Sequence, residues 1–260
     1  MNTSAHGKDA FLKLSVITAV WNRADTVSAA IKSLQAQTHS QYEHLVMDAG
    51  SNDGTISIIE DLADARTILR SGLDQGIYDA LNKGKAAATG EVVGVLHSDD
   101  CFAAPSVLET VVQAFQDPSV DAVYGDLYYV GRDDPHRVIR NWRSGEFSPE
   151  ALRWGWMPPH PALFLRRRVI EQYGLYDLSF RIAADYDAIL RYFSQPGFRA
   201  VYVPEVFVKM RVGGESNRSL ERVFVKSRED YRALRKNRVG GISALVAKNL
   251  RKVGQFLPER

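Results

Sequence analysis

Carboxylates are the residues in this sequence whose placement points most clearly to chemistry, and they fall into three groups. Asp48 ends a short apolar segment, the Asp99–Asp100 pair follows a Val-rich segment, and Asp185 and Asp187 stand two positions apart. Adjacent carboxylates at the end of a buried strand are costly unless a cation or hydrogen-bond donors neutralise them. Oxygen ligands without a set of His and Cys suit Mg²⁺ or Mn²⁺, usually shared with substrate phosphates. The groups therefore predict a site for a divalent cation and a phosphate-bearing substrate.

Helix capping is the alternative explanation for these acids. Asp99 and Asp100 could cap the helix that follows them, and Asp185 could be the N-cap of its own helix. The position of the pair after a long apolar strand, with two further acidic sites elsewhere, favours the metal site. Capping fully explains Asp53, which precedes a helical segment.

The segments that must position these acids alternate between strand-like and helix-like patterns. Apolar, β-branched runs predict strands over 12–20, 43–48, 66–70, 91–97 and 120–124. Apolar residues recur at helical spacing between them, including a helix over 76–88. This order predicts an α/β fold, with a mostly parallel central sheet flanked by helices and functional groups at the carboxyl ends of the strands.

The alternation ends after Gly125. The next segment is rich in Trp and Pro, and we expect helices over 166–173 and 185–193, then strands over 198–203 and 206–212. We predict one catalytic domain over residues 1–217, with a nucleotide half at about 12–125 and an acceptor half at about 126–217.

Four segments, in the same order, resemble the successive motifs of the family 2 glycosyltransferases. They are LSVITAVWN at 14–22, VMDAGSNDGT at 46–55, DQGIYDALNKG at 74–84 and LHSDD at 96–100. The third is similar to a bacterial branch that serves O-antigen, capsule and exopolysaccharide assembly. The resemblance covers about residues 12–216. It implies the GT-A nucleotide-sugar-binding fold and inverting transfer from a nucleotide sugar, typically a UDP-sugar. The implied acceptor is a hydroxyl of a lipid-linked or surface-polysaccharide glycan.

Carried over position by position, the resemblance implies a role for each matching residue. Asp185 is the expected catalytic base, and Asp100 is the expected ligand of an Mn²⁺ or Mg²⁺ ion that bridges the donor diphosphate. His160, Gly214 and Ser216 are expected on the acceptor or phosphate side, although the prolines around His160 equally suit a structural role. The residues expected at the nucleotide sugar are Thr18, Ala19, Trp21, Asn22, Asp48, Asp74, Asn82, Ser98 and Asp99.

Two other functions share part of this pattern. A nucleotidyltransferase that makes a sugar nucleotide would also have an α/β core and an acidic metal site, but it normally carries a Gly-rich, basic loop after the first strand. A non-catalytic sugar-binding module would not need acids from three separate segments. A dinucleotide oxidoreductase is disfavoured because no GxGxxG follows any predicted strand.

The end of the chain is a basic helical extension over 218–260, with 12 Lys or Arg residues and 4 Asp or Glu residues. Its apolar residues follow helical spacing and are Ile242, Leu245, Val246, Leu250, Val253 and Leu257. A basic amphipathic helix of this kind can lie on an anionic membrane, or it can pack on the domain or on a second subunit. Both alternatives stay open here.

The compartment and partners follow from what the sequence lacks. No apolar run approaches the roughly 20 residues that a transmembrane helix needs, and no secretory signal is recognisable. Cys101 is the single cysteine, so no internal disulfide or multi-cysteine zinc site can form. We expect a cytoplasmic protein, peripheral on the inner face of the membrane if the extension binds lipid. We expect no nucleic-acid partner, and the oligomeric state stays open.

Overall fold

The computed structural model describes residues 12–132, 134–212 and 220–254. Its strands are β1 Leu14–Val20, β2 Tyr42–Asp48, β3 Thr67–Ser71, β4 Val92–Val95, β5 Cys101–Phe102, β6 Ala122–Val130, β7 Val138–Trp142, β8 Leu163–Arg166 and β9 Ala200–Arg211. Its helices are α1 Val27–Gln35, α2 Thr55–Leu62, α3 Ile77–Ala87, α4 Val107–Ala114, α5 Pro149–Arg153, α6 Arg167–Tyr173, α7 Ala184–Phe193, α8 Leu220–Lys236 and α9 Ile242–Gly254. The strands form one sheet in the order β3-β2-β1-β4-β8-β6-β9-β5, with β7 paired to β6.

The first half of the sheet is parallel, as the alternating pattern predicts. β1 lies between β2 and β4, and β3 extends the sheet beyond β2. Every residue of β1, β2 and β4 is buried, because both faces of these strands are covered. Alternate β1 residues enter different cores, with Val16 on one face and Ile17 on the other. The carboxyl ends of these strands therefore meet at one edge.

The second half of the sheet is mixed. β8 runs antiparallel to β4 and β6, β9 runs parallel to β6, and β5 pairs antiparallel with the end of β9. The two strands expected over 198–203 and 206–212 form the single strand β9. Its register with β6 shifts between Tyr202 and Val206, so Pro204, which has no N–H, needs no ladder partner.

The helix starts decide between the capping and functional explanations for two acids. Asp53 directly precedes Gly54, the N-cap of α2, and its carboxylate accepts a hydrogen bond from the Thr55 backbone N–H at 3.0 Å, so it supports the start of the helix. The capping alternative for Asp185 is wrong, because α7 begins at Ala184 and Asp185 lies within its first turn. Its carboxylate is therefore free to face other elements.

The basic extension is joined to the catalytic domain by its core. α8 packs against α7, and α9 packs against α8. Ala233 and Leu234 of α8 and Ala244 of α9 are fully buried in the same apolar cluster as Ile17. Among the described residues, no helix combines the length and apolar character required to cross a bilayer.

Candidate active site

The end of β4 carries the acidic pair. Asp100 is 1% exposed, and its Oδ1 accepts a hydrogen bond from the Arg211 backbone N–H at 3.3 Å. The pairing of β5 with β9 places Arg211 there. Oδ2 of Asp100 is buried without a hydrogen-bond partner among the residues that the structure describes. Burial, together with the Asp99 carboxylate, raises the pKa of Asp100 well above its usual range.

A divalent cation fits this pair. A buried carboxylate oxygen without a donor is costly, and coordination to a cation would satisfy it and reverse the pKa shift. No cluster of three or more His, Cys, Asp or Glu side chains placed to hold a metal occurs within 12–132, 134–212 and 220–254. Mg²⁺ and similar ions need only one or two carboxylates when substrate phosphates complete the shell. The donor set of Asp99 and Asp100 is therefore sufficient for an ion shared with a diphosphate.

The second acidic position is built by three elements that are far apart in sequence. Asp185 is half-buried, and its Oδ1 lies 3.0 Å from the hydroxyl of Tyr78 in α3. Just before α7, the Glu229 carboxylate accepts hydrogen bonds from the backbone N–H groups of three successive residues, Arg181, Ile182 and Ala183, at 2.8, 2.8 and 2.9 Å. Glu229 in α8 thus fixes the segment that leads into the helix of Asp185.

Asp187, two positions further on, is buried and hydrogen-bonded to the basic extension. Its carboxylate accepts hydrogen bonds from Asn237 at 2.9 Å and from Lys236 at 3.1 Å. It has no exposed surface. Of the two acids in this segment, only Asp185 is partly exposed.

His97 connects the two acidic positions. Burial lowers the pKa of the His97 imidazole, while the carboxylates of Asp99 and Asp185 act on it in the opposite direction. Its ring stands 5.7 Å from that of His160, between ring centroids. His160 in turn lines one cavity with Asp185, so the loop after β4 and the start of α7 lie close together.

His160 belongs to a buried group behind this place. Its Nε2 hydrogen-bonds to the Tyr176 hydroxyl, and burial lowers the pKa of His160 well below its usual range. Lys85 Nζ lies 3.2 Å from the centre of the Tyr176 ring and has no hydrogen-bond partner among the described residues. Lys85, His160, Tyr176 and Asp185 line one small enclosed cavity.

Asp48 lies at the carboxyl end of β2 and organises the loop that follows. Its Oδ2 accepts hydrogen bonds from the Gly50 N–H at 2.9 Å and the Ser71 hydroxyl at 2.6 Å. The Ser51 N–H also contacts both of its oxygens at 3.2 Å. Gly50 has φ +81°, a conformation that favours glycine. Asp48 is 3% exposed, so only a small part of its carboxylate can face a ligand.

The loop after β1 lies beside the loop after β2. Asn22 has φ 49°, and its side-chain oxygen accepts a hydrogen bond from the Asn52 N–H at 3.0 Å. Trp21 is 60% exposed, and Leu73 is 89% exposed and close to Gly50. Exposed aromatic and apolar side chains at the edge of a nucleotide cleft can pack against a base.

Two other residues expected at the nucleotide sugar, Thr18 and Ala19, are buried. The Thr18 hydroxyl is buried and contacts both His44 Nε2, at 2.9 Å, and the Leu96 carbonyl, at 2.8 Å. Ala19 is also buried, at the end of the same strand. The hydroxyl of Thr18 is thus hydrogen-bonded within the protein, between β2 and the end of β4.

Two residues of the third motif have structural partners. The Asp74 carboxylate accepts a hydrogen bond from the Gly76 N–H at 2.8 Å, which shapes the turn before α3. The Asn82 side chain exchanges two hydrogen bonds with the backbone of Tyr176, both at 2.9 Å. A donor contact by Asn82 stays a prediction, whereas its positioning of Tyr176 is directly visible.

Ser98, Gly214 and Ser216 are the last of the residues that the sequence assigns to the site. Ser98 is buried beside the acidic pair. Gly214 and Ser216 lie outside the described residues. Sequence reasoning missed Tyr78, Lys85, Glu229 and Arg211 as parts of the site. Tyr78 and Lys85 stand in or beside the third motif, which was a usable signal, whereas Glu229 and Arg211 had none.

Known proteins resemble this chain over most of its described length. The family described as Glycosyl transferase family 2 matches residues 15–174. The chain is 33% identical over 218 residues to a PGL/p-HBAD biosynthesis glycosyltransferase of Mycobacterium bovis, a match that covers 82% of each protein. It is 34% identical over 187 residues to an uncharacterized glycosyltransferase of Nostoc sp., with 67% of this chain and 57% of that protein covered.

Solved structures share the fold. The mannosyltransferase PcManGT from Pyrobaculum calidifontis, in complex with GDP-Man and Mn²⁺, has a TM-score of 0.65 and 20% identity, covering 90% of this chain and 68% of its own. TarS 1–349 of S. aureus, in complex with UDP-GlcNAc, has a TM-score of 0.66 and 16% identity, covering 88% and 66%. The mixed sheet with its flanking helices is therefore a GT-A-type fold. From the match over its motifs and the gathering of its acids at the sheet edge, this chain belongs to the family 2 glycosyltransferases.

Proposed function

We propose that this glycosyltransferase moves a sugar from a UDP-sugar to a hydroxyl group of a glycan, by a metal-dependent displacement that inverts the anomeric carbon. The observation that carries the proposal is geometric: His97, two residues before Asp99, lies 5.7 Å from His160 between ring centroids, and His160 lines one cavity with Asp185. The Asp99–Asp100 pair suits a cation with a diphosphate, and Asp185 suits a hydroxyl that must lose a proton. A nucleotidyltransferase or a sugar-binding module would not need both.

Asp185 is the proposed general base. The acceptor oxygen forms a bond to the anomeric carbon while the bond from that carbon to the diphosphate breaks, and the acceptor proton passes to Asp185. Tyr78 orients the carboxylate through its hydroxyl. A positioned base contributes roughly 10²–10⁴ in rate. One base is enough because a single displacement forms no covalent link between sugar and enzyme.

The acidic pair is the proposed diphosphate end. Asp100, with Asp99 beside it, would hold Mn²⁺ or Mg²⁺, and that ion supplies positive charge opposite the departing diphosphate. The Arg211 N–H donates to Oδ1 of Asp100, and Oδ2 has no donor within the described part of the chain. The sheet therefore orients one oxygen of Asp100 for coordination before substrate arrives.

The nucleotide is proposed to lie across the loops after β1 and β2. Asp48 would accept from the base with the exposed part of its carboxylate, and Trp21 and Leu73 would cover the base. A UDP donor is supported by the resemblance of the motifs and by the fold shared with a TarS complex that contains UDP-GlcNAc. A GDP donor is the competing case, since PcManGT of the same fold was solved with GDP-Man.

The proposed acceptor is a lipid-linked or surface-polysaccharide glycan, met at the cytoplasmic face of the membrane. The third motif supports this choice through its resemblance to polysaccharide-assembling enzymes. A relative named for PGL/p-HBAD biosynthesis is consistent with a cell-envelope acceptor. The solvent-facing side of α9 carries the exposed apolar residues Ile242, Val246 and Leu250, which supports a position on a membrane.

Release of the nucleotide diphosphate tests the proposal. The protein is incubated with a panel that includes UDP-GlcNAc and GDP-Man, with and without Mn²⁺, and free UDP or GDP is measured. We expect UDP release with Mn²⁺ that rises when acceptor glycan is added and is lost in Asp185→Asn. Donor binding without release would indicate a binding module. Pyrophosphate release from a nucleoside triphosphate would indicate a nucleotidyltransferase, and either result would overturn the proposal.

A further inference from the structure

A cavity of about 410 Å³ lies away from the acidic site, at the turn between α8 and α9. Its lining includes the side chains of Arg153, Arg235 and Arg238. All three are exposed. Their guanidinium groups have no hydrogen bond or ion pair within the described residues, whereas several arginines elsewhere, such as Arg168 and Arg191, pair with carboxylates. Three unneutralised guanidinium groups around one cavity form a site that attracts an anion.

In α9 and the second half of α8, the exposed charged residues that the structure describes are all basic. Glu150, in the same short helix as Arg153, is an exposed acid. α9 contains no Asp or Glu, and the two acids in the second half of α8 are both buried and already paired. Glu229 accepts the three N–H groups before α7, and Asp230 pairs with Lys248 at 2.8 Å. Arg guanidinium groups bind phosphate oxygens with paired hydrogen bonds, which makes phosphate the anion this site fits best.

An apolar ridge lies on the helix that begins at this turn. Ile242, Val246 and Leu250 are 69%, 51% and 65% exposed, and their spacing of four residues places them on one side of α9. Ala244 and Lys248, on the opposite side, are buried against the domain. Trp154, which directly follows the cavity residue Arg153, is 60% exposed, and its carbonyl accepts a hydrogen bond from Arg251.

We propose that the three-arginine cavity binds the phosphate of an anionic phospholipid while the ridge of Ile242, Val246 and Leu250 enters the bilayer interface. Charge complementarity selects this occupant, because a bilayer of such lipids presents phosphate and hydrocarbon side by side. A free phosphate would use the cavity and leave the ridge in water. The inference deepens the proposed membrane location, but it does not depend on the transfer reaction.

Deleting α9 cannot test this, because Asp230 would be left as a buried charge without Lys248. Substitutions on the outer surface avoid that cost. The arginine variant carries Arg153→Gln, Arg235→Gln and Arg238→Gln, and the ridge variant carries Ile242→Ser, Val246→Ser and Leu250→Ser. A charge control carries Lys32→Gln and Arg137→Gln, two exposed cations whose side chains have no charged partner within the described residues. Each variant is first shown to unfold at the temperature of the parent protein.

The experiment is co-sedimentation of the full chain with vesicles of phosphatidylcholine, with or without phosphatidylglycerol, at low salt. We expect binding only with phosphatidylglycerol, weakened by high salt. Each cation near an anionic surface adds about 1 kcal/mol, so the arginine variant should bind on the order of 100-fold more weakly. The ridge variant should also lose binding, and the charge control should keep most of it.

Three outcomes would overturn the inference. One is that the parent protein ignores phosphatidylglycerol vesicles. Another is that the charge control weakens binding as much as the arginine variant, which would show a general charge effect. The last is that inorganic phosphate raises the unfolding temperature of the parent but not of the arginine variant, while vesicles are not bound, which would assign the cavity to a soluble phosphate. None of these measurements requires transferase activity, so they can be interpreted even if the transfer assay fails.

Discussion

The hydroxyl of Tyr78 lies 3.0 Å from Oδ1 of Asp185, although the two residues are 107 positions apart in the chain. The same hydroxyl lies 2.7 Å from the Ile182 carbonyl, so its single proton is shared between two acceptors that flank the start of α7. This contact ties the third motif to the proposed base. It makes Tyr78 a positioning residue for Asp185.

A graded pair of variants tests this relationship. Asp185→Asn should lower kcat by roughly 10²-fold or more, because the base is removed. Tyr78→Phe should lower kcat by about tenfold, the value of one hydrogen bond to a charged group. The KM for the donor should change little in both, because both residues act on the acceptor. Near-normal turnover of Asp185→Asn would place the base elsewhere.

Asp100→Asn tests the metal site. The substitution removes the charge and keeps the shape, so transfer should fall on the order of 10²–10³-fold while the unfolding temperature does not decrease. Parent activity should disappear in excess chelator and return with Mn²⁺ or Mg²⁺. Asp117→Asn is the matched control, because Asp117 is an exposed acid whose carboxylate accepts a hydrogen bond from the Ser119 N–H in its own turn. Full turnover in excess chelator would refute metal dependence.

Glu229→Gln tests whether α8 supports the active site. An amide has one acceptor oxygen, so the N–H groups of Ile182 and Ala183 or that of Arg181 would lose their partner. We expect a loss of about 1–3 kcal/mol in the free energy of unfolding and a lower kcat with unchanged donor KM. Glu60→Gln, at an exposed position of α2, should change neither quantity. Unchanged stability and kcat in Glu229→Gln would show that this cap is dispensable.

Lys85→Met should stabilise the protein. Burial lowers the pKa of Lys85 well below its usual range, and its amine has no hydrogen-bond partner within the described residues. Methionine has a similar length and no polar group, so we expect a gain of about 1 kcal/mol in urea unfolding at neutral pH. A clear loss of stability would instead mean that a charged Lys85 is held by the Tyr176 ring.

His44 should make stability fall in mild acid. Burial lowers its pKa to about 4 in the folded protein, from 6.5 in the unfolded chain. Between these values the unfolded chain binds the proton and the folded protein does not, so stability is present at neutral pH and is lost as the pH falls. From neutral pH to about pH 5 the loss should be about 2 kcal/mol.

His44→Gln isolates that contribution, because Gln can still donate to the Thr18 hydroxyl. Between neutral pH and about pH 5, the free energy of unfolding of the variant should fall by about 2 kcal/mol less than that of the parent. Urea unfolding of both proteins at the two pH values measures the difference. Parallel curves for parent and variant would mean that His44 has the same pKa in the folded protein as in the unfolded chain.

The sequence by itself determined the fold class and the place of the acids. Long apolar runs that end in Asp48 and in Asp99–Asp100 define buried parallel strands, and such strands bring their carboxyl ends to one edge. The motif order was sufficient to name the family. These features are local in sequence, because a strand pattern and the residue that follows it are read from one short segment.

The tertiary structure alone decided which groups became partners. In the sequence only the family resemblance distinguishes Asp185 from Asp187. In the structure Lys236 and Asn237, at the end of α8, hydrogen-bond to Asp187, whereas Tyr78 of α3 hydrogen-bonds to Asp185. Glu229 gave no sequence signal, since its role depends on N–H groups nearly 50 residues away.

The orientation of α9 was likewise undetermined. Helical spacing defines an apolar stripe without saying which side meets the domain. Packing buries Ala244 and Lys248, leaves Leu245 half-buried, and exposes Val246 and Leu250. The physical reason is that periodicity is a property of one segment, whereas burial requires a second surface whose shape and charge come from distant parts of the chain.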